Sequence, residues 1–187
     1  MKTIDSFTKM CVDNGYITRE QAPWLHYGIE KRVATLLVSI PMIIVGSLIS
    51  SPSMAVSFYI SFYLLRSRTN GFHASSFGGC FILSILTEIL FLGFLPRILN
   101  KIVSTAFLIV SIILILILAP YNHPNMDLSL EELAECARSA KRRLLIMILS
   151  LIVMHILHFN EPATGILLGI VMVAVTLTFA YIPKGEE

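Results

Sequence analysis

Long apolar stretches separated by short polar segments fill the chain from residue 33 onwards. A helix that crosses a bilayer needs about 20 mainly apolar residues, and at least about 17. Most of these stretches are long enough. The pattern therefore predicts an all-α polytopic membrane protein with six transmembrane helices. The predicted spans are residues 33–50, 53–65, 77–95, 102–119, 144–159 and 163–181.

Residues 33–65 are divided here into two spans, 33–50 and 53–65. Pro41 and the small polar run from Ser50 to Ser53 interrupt the stretch. Two crossings fit within it only if both are short. A single kinked, tilted or re-entrant element is the alternative.

The first 32 residues predict two amphipathic helices that are too polar to cross a bilayer. Gly15 is a plausible C-terminal stop for the first helix, and Thr18 with Gln21 resembles a capping box that begins the second. We expect both helices to lie at the membrane interface. A small cytosolic hairpin beneath the bundle is the alternative. The apolar positions are Ile4, Phe7, Met10 and Cys11 in the first helix, and Trp24, Leu25, Tyr27 and Ile29 in the second.

Composition supports the membrane assignment and excludes several classes of function. The chain has 187 residues, of which 56% are hydrophobic and 14% charged, whereas a soluble domain has about a quarter charged. One membrane-embedded domain, residues 1–187, fits this length. The net charge of +2 is too small to indicate nucleic acid as a partner. No glycine-rich phosphate loop or zinc-type spacing is present, so we expect no cofactor and no metal.

The distribution of basic residues predicts the orientation of the chain. If both termini are cytoplasmic, twelve of the fourteen Lys and Arg residues lie on the cytoplasmic side, and only Arg97 and Lys101 lie outside. This asymmetry is what the positive-inside rule requires. It favours two crossings before Arg66 and places His73 and Cys80 at the cytoplasmic face. All three cysteines then lie on the reducing side, where no disulfide framework is expected.

The segment from Arg66 to Cys80 is polar and rich in glycine, and it carries a histidine seven positions before a cysteine. Only the thiolate form of a cysteine is a useful nucleophile, and an adjacent imidazole can take the proton and later return it to a leaving group. On one continuous helix, seven residues would separate His73 from Cys80 by about 10.5 Å. The chain must therefore bend between them, and Gly71, Gly78 and Gly79 allow this. From the spacing alone, a buried thiol and an unrelated loop histidine remain possible.

The residues around this pair raise the specificity of the motif. Arg66, Gly71, His73 with Ala74, and Cys80 resemble the signature of the accessory gene regulator protein B family of membrane peptidases. Asn70 stands where that signature has the first of two glycines. The resemblance extends to the chain length, the six apolar segments, the polar N-terminal region and the segment from Ala119-Pro120 to Pro124.

The resemblance implies a cysteine endopeptidase of the bacterial cell membrane. Its substrate would be a quorum-sensing propeptide with an amphipathic N-terminal helix and an acidic C-terminal tail. Cys80 would attack at the tail boundary, with His73 as general base and then acid, and a second attack within the propeptide would form a thiolactone or lactone. The resemblance also implies a homodimer embedded in membrane lipid. Asn70, Ser75 or Asn125 could each orient His73, and the sequence does not choose among them.

Basic residues near the motif could hold the acidic tail of the substrate. Arg66 and Arg68 flank the site, and Lys141, Arg142 and Arg143 end the other cytoplasmic loop. Charge-assisted hydrogen bonds would give them this role. Any multispan protein needs such residues at its cytoplasmic face, so topological anchoring is the alternative.

A polar stripe follows Cys80 along the third predicted span. Ser84, Thr87 and Glu88 fall within about 100 degrees of Cys80 on a helical wheel. Packing against another span explains this stripe, and a groove wall that contacts substrate is the sharper hypothesis. A transporter without peptidase activity is the alternative function. It would explain the six spans and the short second apolar stretch, but a transporter usually needs ionisable groups at the bilayer midplane, and Glu88 is the only clear candidate.

A metal site near the outer end of the fifth span is not favoured. His155, His158 and Glu161 are close in sequence but supply too few ligands without a further partner. His123 more simply belongs to a rigid loop held by Pro120 and Pro124 near the active-site face.

Overall fold

The structure, a computed structural model, describes residues 2–70, 77–98, 100–122 and 128–181, and most of these residues are helical. These residues contain no strand, which confirms the all-α class. The helices are α1 (Lys2–Asp13), α2 (Ala22–Ile49), α3 (Pro52–Thr69), α4 (Phe77–Glu88), a π-helical segment (Ile89–Phe94), α5 (Leu95–Ile98), α6 (Lys101–Leu118), α7 (Leu130–Ile156) and α8 (Asn160–Ala180).

Four helical segments among the described residues are long and apolar enough to cross a membrane. They are Ala22–Ile49, Gly78–Ile98, Lys101–Leu118 and Asn160–Ala180. The other two predicted spans fall on α3 and α7, which carry charged residues within their lengths, such as Arg66 in α3 and Arg143 in α7. The count of six crossings therefore stays a prediction.

The stretch from residue 33 to 65 forms two helices, not one kinked element. Ser51 separates them, because its hydroxyl accepts a hydrogen bond of 3.3 Å from the Met54 amide and caps α3, and Pro52 occupies the first turn. The first of the two helices begins earlier than the apolar stretch does. The residues around Trp24 and the residues from Val33 onwards form the single 28-residue helix α2, which has Pro41 inside it.

The chain divides into two compact units, Met1–Pro41 and Met42–Glu187. In the first unit, α1 ends at Asp13 and Gly15 follows it with φ +72°, as predicted for a C-terminal stop. Thr18 and Gln21 form the predicted reciprocal cap. The Thr18 amide donates to the Gln21 side chain (3.0 Å), and the Gln21 amide donates to the Thr18 hydroxyl (3.3 Å).

The second unit is organised around α8, which packs closely along α3. Gly165 and Gly169 face the backbone carbonyls of Met54 and Phe58, and a Cβ atom at either glycine would clash with that backbone. Small residues are what allow membrane helices to approach this closely. The adjoining core brings together residues of α3, α6, α7 and α8. Its buried members are Leu65, Ile115, Leu144, Met147, Ile166, Ile170, Val173 and Ala174.

Contacts at the two ends of this unit fix the helix directions. At one end, the Glu161 carboxylate at the start of α8 accepts hydrogen bonds from Ser51 (2.8 Å) and Ser53 (2.5 Å) at the start of α3. At the other end, the Tyr181 hydroxyl donates to the carbonyl of Leu118, the last residue of α6 (2.8 Å). Helices α3, α6 and α8 therefore run parallel and finish at the same end, which we call the α3 C-terminal end.

Helices α4 and α7 run in the opposite direction. Glu88, at the end of α4, lies beside Ala55 near the start of α3, since both would contact a Cβ atom placed on Gly46. Arg143 of α7 contacts Leu64 near the C terminus of α3. This alternation is the order that successive crossings produce, and it places the beginning of α4 at the α3 C-terminal end.

Candidate functional site

Cys80 lies in the first turn of α4, where the sequence predicts it. Its thiol is free and half-buried. Backbone N–H groups in the first turn of a helix point towards its N terminus, and the helix dipole there favours a negative charge. This position therefore suits a cysteine that must react as a thiolate.

The predicted partner of Cys80, His73, lies outside the described residues, and so does Ser75. Helix α3 ends at Thr69, Asn70 follows it in a non-helical conformation, and α4 begins at Phe77, so the predicted bend between His73 and Cys80 also lies outside the described residues. The contact between the imidazole and the thiol stays a prediction.

Arg66 reaches the thiol from the last turn of α3. Its guanidinium interacts electrostatically with Cys80, and its Nη1 atom is buried. Arg66 therefore lies near Cys80 in the structure, as well as on the sequence that flanks it.

The remaining basic residues divide into two groups. The Arg143 guanidinium donates to the Leu64 carbonyl (2.6 Å) and to the Ser67 hydroxyl (2.7 Å), so it ties α7 to the end of α3. Burial, followed by the positive charges of Arg68 and Arg142, lowers the pKa of Arg143, which places these three groups near one another. Lys141 and Arg142 are exposed, and Arg68 is half-buried. The sequence did not indicate this difference within the basic run.

The connection after α6 binds directly to the end of α3. The Tyr121 amide donates to the Thr69 carbonyl (2.9 Å), and the Asn70 side-chain amide donates to the Tyr121 carbonyl (3.1 Å). We call these two hydrogen bonds the Tyr121 contact. The Tyr121 ring also meets the edge of Tyr181 at the end of α8, with 5.0 Å between ring centroids.

The Tyr121 contact involves a residue of the predicted loop from Pro120 to Pro124. Its described part lies at the α3 C-terminal end, beside the residues that lead to His73. His123 and Asn125 fall outside the described residues. Asn70, one of three candidates for orienting His73, uses its amide nitrogen to bind Tyr121.

Glu88 is fully buried and lies against the second helix. A Cβ atom on Gly46 would stand 2.8 Å from its Oε1 atom, so the glycine makes room for the carboxyl group. Within the described residues neither carboxyl oxygen has a hydrogen-bond partner. The other members of the polar stripe bond to their own helix: Ser84 to the Cys80 carbonyl (2.9 Å) and Thr87 to the Leu83 carbonyl (2.7 Å). Contact between Glu88 and a substrate would require α4 to separate from α2.

Glu161, one of the three residues considered above as metal ligands, is engaged in hydrogen bonds. Glu161 accepts its hydrogen bonds from Ser51 and Ser53. In the ranges that the structure covers, no group of three His, Cys, Asp or Glu side chains could hold a metal ion.

Comparisons with known proteins give one finding. Residues 4–177 match a family model described as Accessory gene regulator B. A comparison with curated proteins and another with solved structures each found no match.

Proposed function

Because the chain belongs to the accessory gene regulator B family, we propose that it is a membrane cysteine endopeptidase that matures a quorum-sensing propeptide. The family acts on precursors of autoinducing peptides in the membrane. The observation that carries the finer proposal is the position of Cys80, in the first turn of α4 and beside the buried guanidinium of Arg66. No other described cysteine has both features.

In the first step, the Cys80 thiol loses its proton to His73 and attacks the carbonyl carbon at the boundary of the C-terminal tail. A tetrahedral intermediate forms and the carbon–nitrogen bond breaks. The imidazolium of His73 gives its proton to the departing amine. The tail leaves with a free amino group, and the rest of the propeptide remains on Cys80 as a thioester.

In the second step, a cysteine thiol or serine hydroxyl within the propeptide attacks this thioester. His73 accepts the proton of the attacking group, Cys80 departs as the leaving group, and a ring closes. Exchange of one thioester for another has nearly balanced bond energies, so cyclisation proceeds if water is kept away from the acyl-enzyme. A half-buried thiol at the end of a helix bundle supports this requirement.

The charges at the α3 C-terminal end suit an acidic tail. Lys141, Arg142 and Arg68 lie near the same end as Cys80, and opposite charges attract a tail towards the thiol. Glu88 lies on the side of α4 that faces α2, so the predicted groove role would require these two helices to separate. We further propose that this end, with both termini, faces the cytoplasm, and that the enzyme acts as a homodimer.

The decisive experiment follows the products of the reaction by intact mass. Purified protein in lipid is mixed with the propeptide encoded beside its gene, using wild type, Cys80→Ala, His73→Ala and the matched control Cys136→Ala. We expect wild type and Cys136→Ala to release the tail and to form a product lighter by one water than the linear fragment. A covalent acyl adduct should form on Cys80 alone.

Two results would contradict the proposal. Cleavage that survives in Cys80→Ala would identify another nucleophile. Absence of cleavage by folded wild type with several candidate propeptides would favour the transporter function, for which the buried carboxyl group of Glu88 is the supporting observation.

A further inference from the structure

Glu88 occupies the centre of an apolar helical segment that is long enough to cross a membrane. That segment runs from Gly78 to Ile98, so residues 78–87 precede Glu88 and residues 89–98 follow it. The side chain is fully buried, and no other acidic side chain in the described ranges is buried. Ionisable groups at membrane depth are costly to keep and are therefore functional candidates. The catalytic steps proposed above make no use of this carboxyl group.

The surroundings of the carboxyl group are aliphatic. A Cβ atom on Gly46 would stand 2.8 Å from the Glu88 Oε1 atom and 3.0 Å from both the Ala55 Cβ and the Leu92 Cδ1 atoms, so these groups line one small space. Within the described residues neither carboxyl oxygen has a hydrogen-bond partner. An ionised carboxyl group only accepts hydrogen bonds, so its charge needs donors or a cation. The aliphatic groups supply neither.

Hydroxyl groups close to Glu88 and Gly46 in sequence donate to backbone carbonyls instead. Thr87, Ser47 and Ser50 each donate to a carbonyl of the preceding helical turn, at 2.7, 2.6 and 2.8 Å. Such local hydrogen bonds occupy the one donor that each hydroxyl has. None of the three could compensate an ionised carboxyl group without giving up its present bond.

The charged groups on the neighbouring elements lie towards the ends of those elements. Residues 42–49 of α2 and the π-helical segment carry none. On α3 the nearest in sequence is Arg66, eleven residues beyond Ala55 and so about 16 Å along the helix. Glu161 of α8, which packs on the π-helical segment, has the same sign of charge as a carboxylate at residue 88. The other titratable groups on these elements are Arg68, Tyr59, Tyr63, Cys80 and Arg97, and none is hydrogen-bonded to Glu88.

An unpaired charge in such a place costs far more than a neutral acid whose O–H group lacks a partner. We propose that Glu88 is a proton-binding site within the membrane. The carboxylate takes one proton from water, the neutral acid lies against Gly46, and the contact between α4 and α2 depends on that proton. Loss of the proton draws the carboxylate towards water and separates the two helices there. A π-helical segment, which is frequent at functional sites, begins directly after Glu88. The inference does not rest on the proposed function.

Infrared spectroscopy of the full chain tests the protonation of Glu88. The carbonyl stretch of a protonated carboxyl group lies apart from the bands of carboxylates and of the peptide backbone, and an alkyl maltoside detergent contains no carbonyl group. Exposed carboxyl groups are ionised at neutral pH. We therefore expect wild type at neutral pH to show this band and Glu88→Gln to lack it. The control Glu131→Gln, which removes an exposed carboxyl group in the first turn of α7, should keep the band.

A second measurement tests whether the helix contact depends on the proton. The pH is raised until the wild-type band is lost, and backbone hydrogen–deuterium exchange is compared between wild type and Glu88→Gln at each pH, which cancels the chemical exchange rate. We expect residues 83–94 to exchange at least about fivefold faster in wild type after the band is lost, and equally in both proteins before. If wild type unfolds before the band is lost, Glu88→Gln should unfold at a higher pH. If Glu88→Gln does not fold, Glu88→Met, which is also neutral and similar in length, replaces it.

Two kinds of result would overturn the inference. Absence of the band in wild type at neutral pH, or its persistence in Glu88→Gln, would show that residue 88 does not hold the proton. Equal exchange after the band is lost, or unfolding of both proteins at the same pH, would show that the contact does not need it. Cleavage of the propeptide by Cys80→Ala contradicts the proposed function and leaves each of these measurements unchanged.

Discussion

The Arg66 guanidinium interacts electrostatically with the Cys80 thiol, although Arg66 lies in the last turn of α3 and Cys80 in the first turn of α4. The two helices run in opposite directions, so the last turn of one faces the first turn of the other. The Arg66 guanidinium and the first turn of α4 therefore lie together at the α3 C-terminal end.

We expect Arg66→Gln to lower kcat by about tenfold or more, because the thiolate loses a preorganised positive charge. Arg66→Lys, which keeps the charge but not the geometry of the guanidinium, should retain intermediate activity. Steady-state kinetics with the propeptide measure both variants. Arg68→Gln is the matched control and should change KM more than kcat. Equal kcat in wild type and Arg66→Gln would contradict this role.

The basic run in α7 should separate into structural and substrate-binding residues. Loss of the Arg143 side chain removes hydrogen bonds to Leu64 and Ser67, and we expect Arg143→Ala to destabilise the protein by about 1–3 kcal/mol. Lys141→Glu with Arg142→Glu should leave thermal unfolding in detergent nearly unchanged and raise KM several-fold. If the double variant is instead destabilised as much as Arg143→Ala, Lys141 and Arg142 do not have the substrate-binding role that separates them from Arg143.

The close packing of α3 on α8 predicts that alanine substitutions at different glycines will have very different effects on stability. A Cβ atom at residue 169 would lie 2.9 Å from the Phe58 carbonyl oxygen and would clash with Ser61, so Gly169→Ala should cost about 1–3 kcal/mol. Gly28→Ala is the control, since nothing lies within 4 Å of its added methyl group. Thermal unfolding of the two variants in the same detergent gives the comparison. Equal melting temperatures would show that the two helices separate without cost.

Topology can be tested at the end where Ser53 meets Glu161. Ser53 and Asn160 are both exposed and close to that contact, so single cysteines at these positions should react from the same side. With the predicted orientation, a membrane-impermeant maleimide should label Ser53→Cys and Asn160→Cys on intact cells, but not Lys141→Cys. Labelling of only one of the first two positions would disprove the six-span order. Labelling of Lys141→Cys alone would show that the orientation is the reverse of the one predicted.

Glu88 should tolerate a neutral side chain. A carboxyl group buried without a hydrogen-bond partner is costly when charged, so Glu88→Gln should not lower the melting temperature. Since α2 covers this carboxyl group, we also expect cleavage by Glu88→Gln to stay within about twofold of wild type. A large rise in KM at unchanged stability would instead support contact with substrate.

Local features of the structure follow from the sequence more directly than distant contacts do. The Gly15 stop, the Thr18–Gln21 cap and the position of Cys80 in the first turn of a helix all depend on residues within a few positions of one another, and the structure confirms them. The continuity of α2 from Trp24 past Val33 was harder to predict from the sequence. Hydropathy changes there, but the backbone of α2 continues without a break.

The contacts that assemble the site join residues far apart in sequence. Tyr121 with Asn70 and Arg143 with Leu64 are examples, and no periodic pattern indicates which residues will meet. Asn70 ends α3 with φ 58° and ψ −140°, which lies outside the left-handed helical region where asparagine is common, so the residue type gave no signal for this conformation. The π-helical turn after Glu88 had no sequence signal either.

The parallel pairing of α3 and α8 has a consequence for biosynthesis. Helix α3 is synthesised long before the glycines of α8 that it packs against, and in the structure the hydroxyls of Ser57 and Ser61 donate to carbonyls of α3 itself. Until α8 is synthesised, α3 lacks the helix against which it packs most closely. The end of α3 that carries Arg66 and Asn70 can therefore reach its final position only late in assembly, so a nascent chain would lack an assembled site until α8 has joined it.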